Sequence, residues 1–190
     1  MTPFRVFIAW LAMVAGSLPA LGEPVALAID TARDFRTWDA IPDDVLGTVR
    51  ALSECDHATV STVWGSVYEI ETDSEIWQVP CILGSYQSSM VFALRPRDGS
   101  VDPRIMRFSV PPGYGDPQSS IMEPRVDKAS GILTSVSLGR PAADCGTVQR
   151  HRLVRDGDGK PRFDLIEYRD KPECDETFVP IETFPLIFPK

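Results

Sequence analysis

The sequence lacks asparagine altogether and holds only two histidines, His57 and His151. Without asparagine there is no acceptor for N-glycosylation. The patterns H-E-x-x-H, S-x-x-K, G-x-S-x-G and G-x-G-x-x-G and the Walker motif are missing too. These absences exclude the zinc peptidases, serine hydrolases and nucleotide-binding enzymes that depend on those motifs.

Positive charge is also scarce, because 19 lysines and arginines stand against 27 acidic residues and give a formal net charge of −8. So acidic a surface repels phosphate backbones and anionic lipids, and the sequence holds no basic stripe that would offset this. We therefore expect no nucleic-acid partner.

There is one long apolar run, at residues 6–18. It is too short for a membrane-spanning helix, which needs about 20 residues, and it has the length of the apolar part of a signal peptide. Ala20 and Gly22 place small side chains at the −3 and −1 positions of a cleavage site. These features predict a signal peptide over residues 1–22, with a buried N-terminal helix or an uncleaved anchor as the alternative.

The remaining residues, 23–190, are predicted to form a single disulfide-linked β domain with Glu23 as its first residue. No cysteine follows the apolar run closely enough to accept a lipid, and no second apolar run occurs. We therefore expect a periplasmic or secreted protein with no membrane span after cleavage.

Four cysteines lie in this exported portion: Cys55, Cys81, Cys145 and Cys174. An even number in an oxidising compartment predicts two disulfides. Three pairings are possible, and proximity along the chain favours Cys55–Cys81 and Cys145–Cys174, each of which would bracket a hairpin. No C-x-x-C pair occurs, which argues against a thiol–disulfide oxidoreductase and against a zinc knuckle. We predict no metal and no cofactor.

The adjacent residues Cys55, Asp56 and His57 have the side chains of a cysteine-hydrolase triad. A bridged sulfur does not attack a substrate, and adjacent side chains rarely face one another. We therefore predict no cysteine nucleophile and assign no catalytic residue.

Helical spacing is confined to one segment. Val45, Val49 and Leu52 follow Pro42 and two aspartates, which suit the first turn of a helix. This pattern predicts one short N-terminal helix over about residues 42–54.

After Cys55 the pattern changes to short β-like runs separated by turns. About seven or eight such runs predict a mainly β fold, an antiparallel sandwich or barrel. The run 90–94 is apolar on both faces, as in a central strand that is covered on both sides. Asp-Gly sequences predict turns at residues 97–100 and 156–159.

Two further runs alternate with period two, and each is predicted to turn an apolar face toward the core. The predicted core faces are Met106, Phe108 and Val110 in the first run, and Ile132, Thr134, Val136 and Leu138 in the second.

Residues 111–124 contain four prolines and two glycines. Because proline removes backbone hydrogen-bond donors, the segment predicts a surface loop that no strand ladder includes. An irregular connection is favoured, and a lid or binding loop that carries Tyr114 is the alternative.

Two pairs of acidic residues and one histidine are candidate site residues. Glu69 and Glu71 are predicted to share a strand face, and a solvated face is favoured over a glycosidase pair. His151 lies on an arginine-rich strand and is predicted to be exposed rather than to act as a base. Asp156 and Asp158 superficially match a calcium loop, but proline occupies the position that requires glycine.

Three stretches carry a family resemblance: IWQVPCILGSYQSSMVFAL at 76–94, SLGRPAADCGTVQRHRLV at 137–154 and FDLIEYRDKPEC at 163–174. They resemble the W-x-V-P-C…G-x-Y…S pattern, the G-R-x-x-x-D-C-G segment and the strand ending in cysteine of domain-of-unknown-function family 1176, exported proteins found mainly in proteobacteria. The resemblance covers residues 53–188, the C-terminal part of a family whose members are usually longer. It departs from the family pattern at 141–143, where Pro-Ala-Ala replaces a glycine-containing stretch.

The resemblance supports an envelope location and the favoured disulfide pairing, and it implies no activity. It singles out Arg140, Asp144 and Gly146. Gly146 beside a bridged cysteine suits a turn with positive φ, Asp144 suits a cap of that turn, and Arg140 suits an ion pair with Asp144. This structural interpretation is favoured, and the alternative is a ligand-binding Arg140–Asp144 pair joined by Trp77 and Tyr86.

The sequence therefore favours a non-catalytic envelope module that binds an envelope protein or a small ligand through the 111–124 loop and exposed aromatic side chains. Two alternatives stay open: an inhibitor of a secreted hydrolase such as lysozyme, and a hydrolase of cell-wall glycan that uses two carboxylates. A deep cleft with two facing acids would favour the hydrolase, and a protruding, fixed loop would favour the inhibitor.

Overall fold

The computed structural model describes residues 24–52, 54–56, 63–71 and 73–190. The predicted signal peptide, the predicted first residue Glu23 and His57 lie outside these residues. The described residues form twelve strands, one α-helix and two short 3-10 turns.

In chain order the elements are β1 (Val25–Ala26), β2 (Thr31–Phe35), the first 3-10 turn (Trp38–Ala40), α1 (Asp43–Arg50), β3 (Gly65–Ile70), β4 (Ser74–Leu83), β5 (Ser88–Pro96), β6 (Arg104–Ile105), β7 (Ser120–Met122), β8 (Arg125–Asp127), β9 (Ile132–Leu138), β10 (Gly146–Arg155), β11 (Pro161–Lys171), the second 3-10 turn (Ile181–Thr183) and β12 (Leu186–Phe188). Seven strands have five or more residues and five have two or three. Six of the seven longer strands correspond to predicted β-like runs, and the seventh, β2, lies ahead of those runs in the chain.

The strands form two antiparallel sheets. Sheet A has the order β12-β11-β10-β9-β8, and β1 pairs with β10 beyond the end of β9. Sheet B has the order β2-β3-β4-β5, and β6 and β7 pair with different parts of the remaining edge of β5. The predicted mainly β fold is confirmed, and the two packed sheets correspond to a sandwich.

Side chains from both sheets meet in one apolar core. Met90, Phe92 and Leu94 of β5 belong to the same buried cluster as Leu153 and Phe163 of sheet A. The rings of Phe92 and Phe163 pack edge to face with centroids 5.8 Å apart, a favourable aromatic geometry. This core closes one half of the sandwich.

The opposite face of sheet B is covered by α1. Val45 and Val49 of the helix are fully buried in a second cluster with Trp77, Val91 and Ala93. Strand β5 therefore contributes to both clusters, which confirms that it is central and covered on both sides.

The helix is shorter than predicted and ends at Arg50. Its first turn carries Asp44, which accepts a hydrogen bond from the backbone N–H of Val45 at 2.9 Å and pairs with Arg95 Nε at 2.8 Å. The acidic first turn suits the positive end of the helix dipole, as the sequence indicated.

Strand β9 turns inward the face opposite to the predicted one. Leu133 and Ser135 are buried, and they lie beside His151 and Gln149 of β10. The register with β10 decides which face turns inward, and the alternation within β9 does not reveal that register. The predicted core face is wrong, since these side chains are only half-buried: Ile132, Thr134, Val136 and Leu138.

Residues 106–110 do not form the predicted strand. Met106 and Phe108 are buried as expected, but β6 ends at Ile105 and Phe108 makes only an isolated bridge to Gln118. The prediction that no strand ladder includes the 111–124 segment is also wrong, because β7 lies within it and pairs with β5. The pairing is possible because β7 occupies the stretch between two of the prolines.

The predicted turns are present. Gly99 has a φ of 66°, and Asp98 Oδ1 accepts a hydrogen bond from the backbone N–H of Ser100 at 2.9 Å. Between β10 and β11, Asp156 Oδ1 accepts from the backbone N–H groups of Asp158 and Lys160 at 3.0 and 2.8 Å. Asp156 therefore stabilises a hairpin turn rather than a calcium loop.

Two disulfides join Cys55 to Cys81 and Cys145 to Cys174, which confirms the favoured pairing. The first connects the chain beyond α1 to β4, and the second connects the start of β10 to the chain beyond β11. None of the four cysteines is free.

A side chain closes part of the edge of β9. Gln87 Nε2 donates to the carbonyl oxygen of Val136 at 2.8 Å, and its Oε1 accepts from the backbone N–H of Leu138 at 2.7 Å. The Gln87 amide thus makes two of the bonds that a neighbouring strand would make.

Reduction of the disulfides should destabilise the protein strongly. The sequence separations are 26 and 29 residues, and the chain-entropy model gives about 3–4 kcal/mol for loops of that length. Thermal melts with and without dithiothreitol, together with paired Cys→Ser variants of each bridge, measure the two contributions. An unchanged melting temperature in a sample whose four thiols titrate as reduced would contradict this expectation.

Gly146→Ala should also destabilise the fold. Gly146 has a φ of 142°, and a Cβ there would lie 2.2 Å from the carbonyl oxygen of Ser137. We expect a loss of about 3 kcal/mol in the free energy of unfolding, measured by urea denaturation. Gly157→Ala is the matched control, because a Cβ at Gly157 meets nothing within 4 Å. Equal effects of the two substitutions would refute the steric argument.

Candidate functional site

The inner face of sheet A changes character along its strands. Residues that pair across β9, β10 and β11 share a face of the sheet. In the half next to the apolar core, Leu153 lies beside Phe163 and Leu133 lies beside His151. His151 is the one polar side chain among these four.

The other half of the same face is polar. Two successive cross-strand rows, here called the polar rows, consist of Ser135, Gln149 and Tyr168, followed by Ser137, Thr147 and Asp170. Hydroxyl, amide and carboxyl groups therefore stand where the apolar core of a sandwich would ordinarily continue.

A cleft of about 670 Å³ lies against the polar rows, which supply five of its lining side chains. The remaining lining comes from residues 117–120, Met122, Arg107 and Glu54. Arg107 and Gln118 are exposed, so the cleft opens to solvent on their side.

Hydrogen bonds fix parts of the lining. Ser119 Oγ donates to Glu54 Oε1, and Ser135 Oγ donates to the carbonyl oxygen of Met122 at 2.6 Å. Each hydroxyl keeps further acceptor capacity after such a bond. The wall is therefore held in place and still offers polar atoms to the cleft.

Tyr168 lines the cleft and Tyr114 packs against it, and these two rings are here called the aromatic edge. The rings of Tyr114 and Tyr168 meet at 61° with centroids 5.1 Å apart. Tyr168 is buried and Tyr114 is 40% exposed. Burial, reinforced by Asp170 and Tyr114, raises the pKa of Tyr168, so its phenol keeps its proton and can donate a hydrogen bond.

His151 lies on the same inner face, next to the polar rows on the side of the apolar core, and its burial shows that the predicted exposure is wrong. Its side chain is fully buried, and its ring centroid is 5.2 Å from that of Phe108. The neighbouring Arg150 and Arg152 lie on the opposite face of β10, because side chains alternate along a strand. The arginines that flank His151 in the sequence therefore belong to the other face of the sheet.

The tautomer of His151 follows from one hydrogen bond. Nε2 lies 3.2 Å from Gln149 Oε1, and because an amide oxygen only accepts, Nε2 carries the proton. Nδ1 is buried with no hydrogen-bond partner among the described residues. Burial lowers the pKa of His151 to about 4, against partial opposition from Asp164.

Arg140 and Asp144 form the ion pair that the resemblance implied. Arg140 Nε donates to Asp144 Oδ1 at 2.7 Å, and Asp144 Oδ2 accepts from Arg140 Nη2 and from the backbone N–H of Glu176 at 2.7 Å. Asp144 is fully buried, and the Arg140 guanidinium beside it holds its pKa well below the usual range. The pair joins the β9–β10 loop to the chain beyond Cys174, which supports its structural interpretation.

The predicted ligand residues lie in different places. Trp77 is buried under α1 on the outer face of sheet B. Tyr86 is 52% exposed and lines a separate cavity with Ala143 of the β9–β10 loop. None of these three aromatic residues lines the cleft, but Tyr114 packs against Tyr168, which does. A ligand-binding role for these residues stays a prediction.

The carboxylates singled out in the sequence are bound to arginines. Glu69 pairs with Arg97 at 3.0 Å, and Glu71 pairs with Arg155. Glu71 lies in the turn after β3 with a φ of 50°, so the two carboxylates do not share a strand face as predicted.

The potential metal ligands also have other partners. Asp144, Cys145 and Cys174 have ligand atoms within 4.8 Å of one another. The two sulfurs are bonded to each other and the carboxylate binds Arg140, so this group offers no free ligand set.

Sequence reasoning missed the polar rows. A signal was present, because serine, threonine and glutamine recur at alternate positions of β9 and β10. This alternation indicates a site only when it is known which face of β9 turns inward.

Stability should decrease as the pH falls, partly through His151. The folded pKa of about 4 lies below the ordinary value of 6.5, so between these values the unfolded chain binds a proton that the folded chain excludes. The full stability is present above pH 6.5 and declines toward pH 4, by at most about 3 kcal/mol from this group.

Denaturant unfolding from pH 7 to pH 4 measures this effect, with His151→Phe as the comparison. Both proteins share every carboxylate, so the difference between their pH profiles isolates His151. The variant should lose less stability over this interval, and parallel profiles would argue against the assignment.

Among the described residues, no helix is long and apolar enough to span a bilayer. Two disulfides are typical of proteins outside the cytoplasm.

Comparison with known proteins places the chain in a family. No curated protein and no solved structure matches the chain. A family model described as "Protein of unknown function (DUF1176)" matches residues 23–188, which includes residues ahead of the resemblance noted for 53–188. The match covers most of the chain, so the protein belongs to this family.

Proposed function

We propose that the chain is an exported envelope protein that acts as a non-catalytic binding module, and that its ligand occupies the cleft against the polar rows. The observation that carries this proposal is the change from apolar to polar side chains along the inner face of sheet A. The polar half lines an accessible cleft of about 670 Å³.

A purely structural sandwich would fill this space with apolar side chains. Burying hydroxyl and amide groups stabilises a fold only when each group finds a hydrogen-bond partner. Concave sites of about 300–1,000 Å³ with convergent polar groups are typical of small-ligand binding. The cleft has this size and such polar groups, and hydroxyl and amide side chains make up most of its lining.

The chemistry of the lining favours binding over catalysis. Among the described lining residues Glu54 is the one carboxylate, and no imidazole or thiol is present. Hydrolysis of a glycan by acid–base chemistry requires two carboxyl groups roughly 5–9.5 Å apart. His151 does not line the cleft, and Gln149 accepts a hydrogen bond from its Nε2.

A second candidate function, inhibition of a secreted hydrolase such as lysozyme, is supported by one feature. Residues 112–118 are exposed without interruption. The base of this loop is fixed by the Phe108–Gln118 bridge and its middle by the Tyr114–Tyr168 contact. A rigid exposed loop is suited to insertion into a partner's active site.

A cleft-filling substitution tests the proposed function. We expect Ser137→Trp to reduce recovery of low-mass ligands from envelope extract by about tenfold or more, because the indole would occupy the cleft. Ser85→Trp is the matched control, since Ser85 is exposed in the β4–β5 turn and does not line the cleft. The measurement is mass spectrometry of small molecules and proteins eluted from the immobilised chain.

A second cleft variant, Thr147→Tyr, keeps the test valid if Ser137→Trp does not fold. Circular dichroism establishes which variants are folded. Recovery of the same low-mass ligands by the native chain and both folded cleft variants would contradict the proposal. Retention of small ligands with loss of a bound hydrolase in Tyr114→Ala would favour the inhibitor function instead.

A further inference from the structure

We infer that the cleft recognises a saccharide, the end of a short oligosaccharide chain. This inference rests on the proposed function, because it concerns the same cleft. The observations that carry it are the hydroxyl and amide character of the walls, the aromatic edge and the single guanidinium.

The walls match the hydrogen-bonding character of sugar hydroxyls. Each sugar hydroxyl both donates and accepts, and neighbouring hydroxyls on a ring present both functions side by side. Serine and threonine hydroxyls and glutamine amides also combine donors with acceptors. Seven such side chains line the cleft: Gln118, Ser119, Ser120, Ser135, Ser137, Thr147 and Gln149.

An apolar ligand would be poorly matched to this surface. Met122 and Pro117 are the aliphatic contributors to the described lining. A fatty chain in the cleft would cover hydroxyl and amide groups without replacing the hydrogen bonds that water makes to them, at a cost of about 1–3 kcal/mol for each group left unpaired. A saccharide supplies those bonds.

The aromatic edge supplies the apolar contact that a sugar ring requires. One face of a pyranose carries C–H groups, and these pack against an aromatic ring while the hydroxyls point to polar neighbours. Tyr168 lines the cleft and Tyr114 packs on it with substantial exposure. Tyrosine combines an apolar ring with a hydroxyl that can bond the same ligand.

The charged groups in the lining bear on which kinds of saccharide the cleft recognises. Arg107 lines the cleft and forms no ion pair with a described carboxylate. Glu54, the one carboxylate in the lining, already accepts a hydrogen bond from Ser119. A planar guanidinium bonds two neighbouring oxygens at once, either a pair of hydroxyls or a carboxylate substituent. Neutral and acidic saccharides share this recognition chemistry, and the experiment distinguishes them.

Calorimetric titration of the full chain with defined probes tests the inference. The saccharide probes are cellotriose, triacetylchitotriose and trigalacturonate, and the non-saccharide probes are trialanine and octanoate. At least one saccharide should bind with a Kd below about 1 mM. Ser137→Trp should weaken that binding about tenfold or more, and Ser85→Trp should change it less than about twofold.

Two further substitutions examine individual contacts. Tyr114→Ala should weaken saccharide binding about threefold to tenfold through loss of the ring contact. Arg107→Gln should weaken trigalacturonate more than cellotriose if an acidic saccharide is the preferred ligand, and both equally if hydroxyl pairs are recognised. Either pattern supports a saccharide, and no effect of either substitution would overturn the assigned contacts.

The outcomes separate this inference from the proposed function. Binding of trialanine or octanoate in place of every saccharide, with loss in Ser137→Trp, overturns the saccharide assignment and leaves the cleft as the binding site. Saccharide binding that Ser137→Trp does not weaken overturns the location. Absence of binding by all five probes overturns the saccharide assignment, and the proposed function then depends on whether Ser137→Trp still loses the ligands taken up from envelope extract.

Discussion

The pairing of β10 along both of its edges constrains the rest of the molecule. Its neighbours β9 and β11 hold it in one register, and a strand sends successive side chains to opposite faces. That register directs Leu153, His151 and Gln149 toward sheet B and leaves Arg150 and Arg152 on the other side. A slip of one residue would bury two guanidinium groups, so the inner face of sheet A is strongly specified.

The same face explains why the sandwich is closed at one end and open at the other. Phe92, Phe108 and Phe163 pack their rings between the sheets and exclude water. Beyond His151 the polar rows begin, and their hydroxyl, amide and carboxyl groups cannot continue the apolar packing of the core without a desolvation cost. His151 lies at this boundary, where its Nε2 bonds to a polar neighbour and the rest of its ring packs against Phe108.

Much of the fold could be predicted from local patterns. The disulfide pairing, the doubly covered β5 and the Asp-Gly turns each depend on residues that are close in the sequence. The inner face of β9 could not, because ILTSVSL carries apolar residues on both of its alternating faces and only pairing with β10 selects one. The cleft could not be predicted from the sequence either, because Glu54, Arg107 and Tyr168 become neighbours only in the folded protein.

The bonds of Gln87 to β9 have a consequence for the molecule's behaviour at high protein concentration. An open strand edge presents free amides and carbonyls that recruit strands of other molecules, and this recruitment begins fibrous aggregation. The Gln87 side chain occupies one carbonyl and one amide beyond the end of β8. A strand of a second copy therefore cannot pair with this part of the β9 edge, which protects the protein against ordered self-assembly.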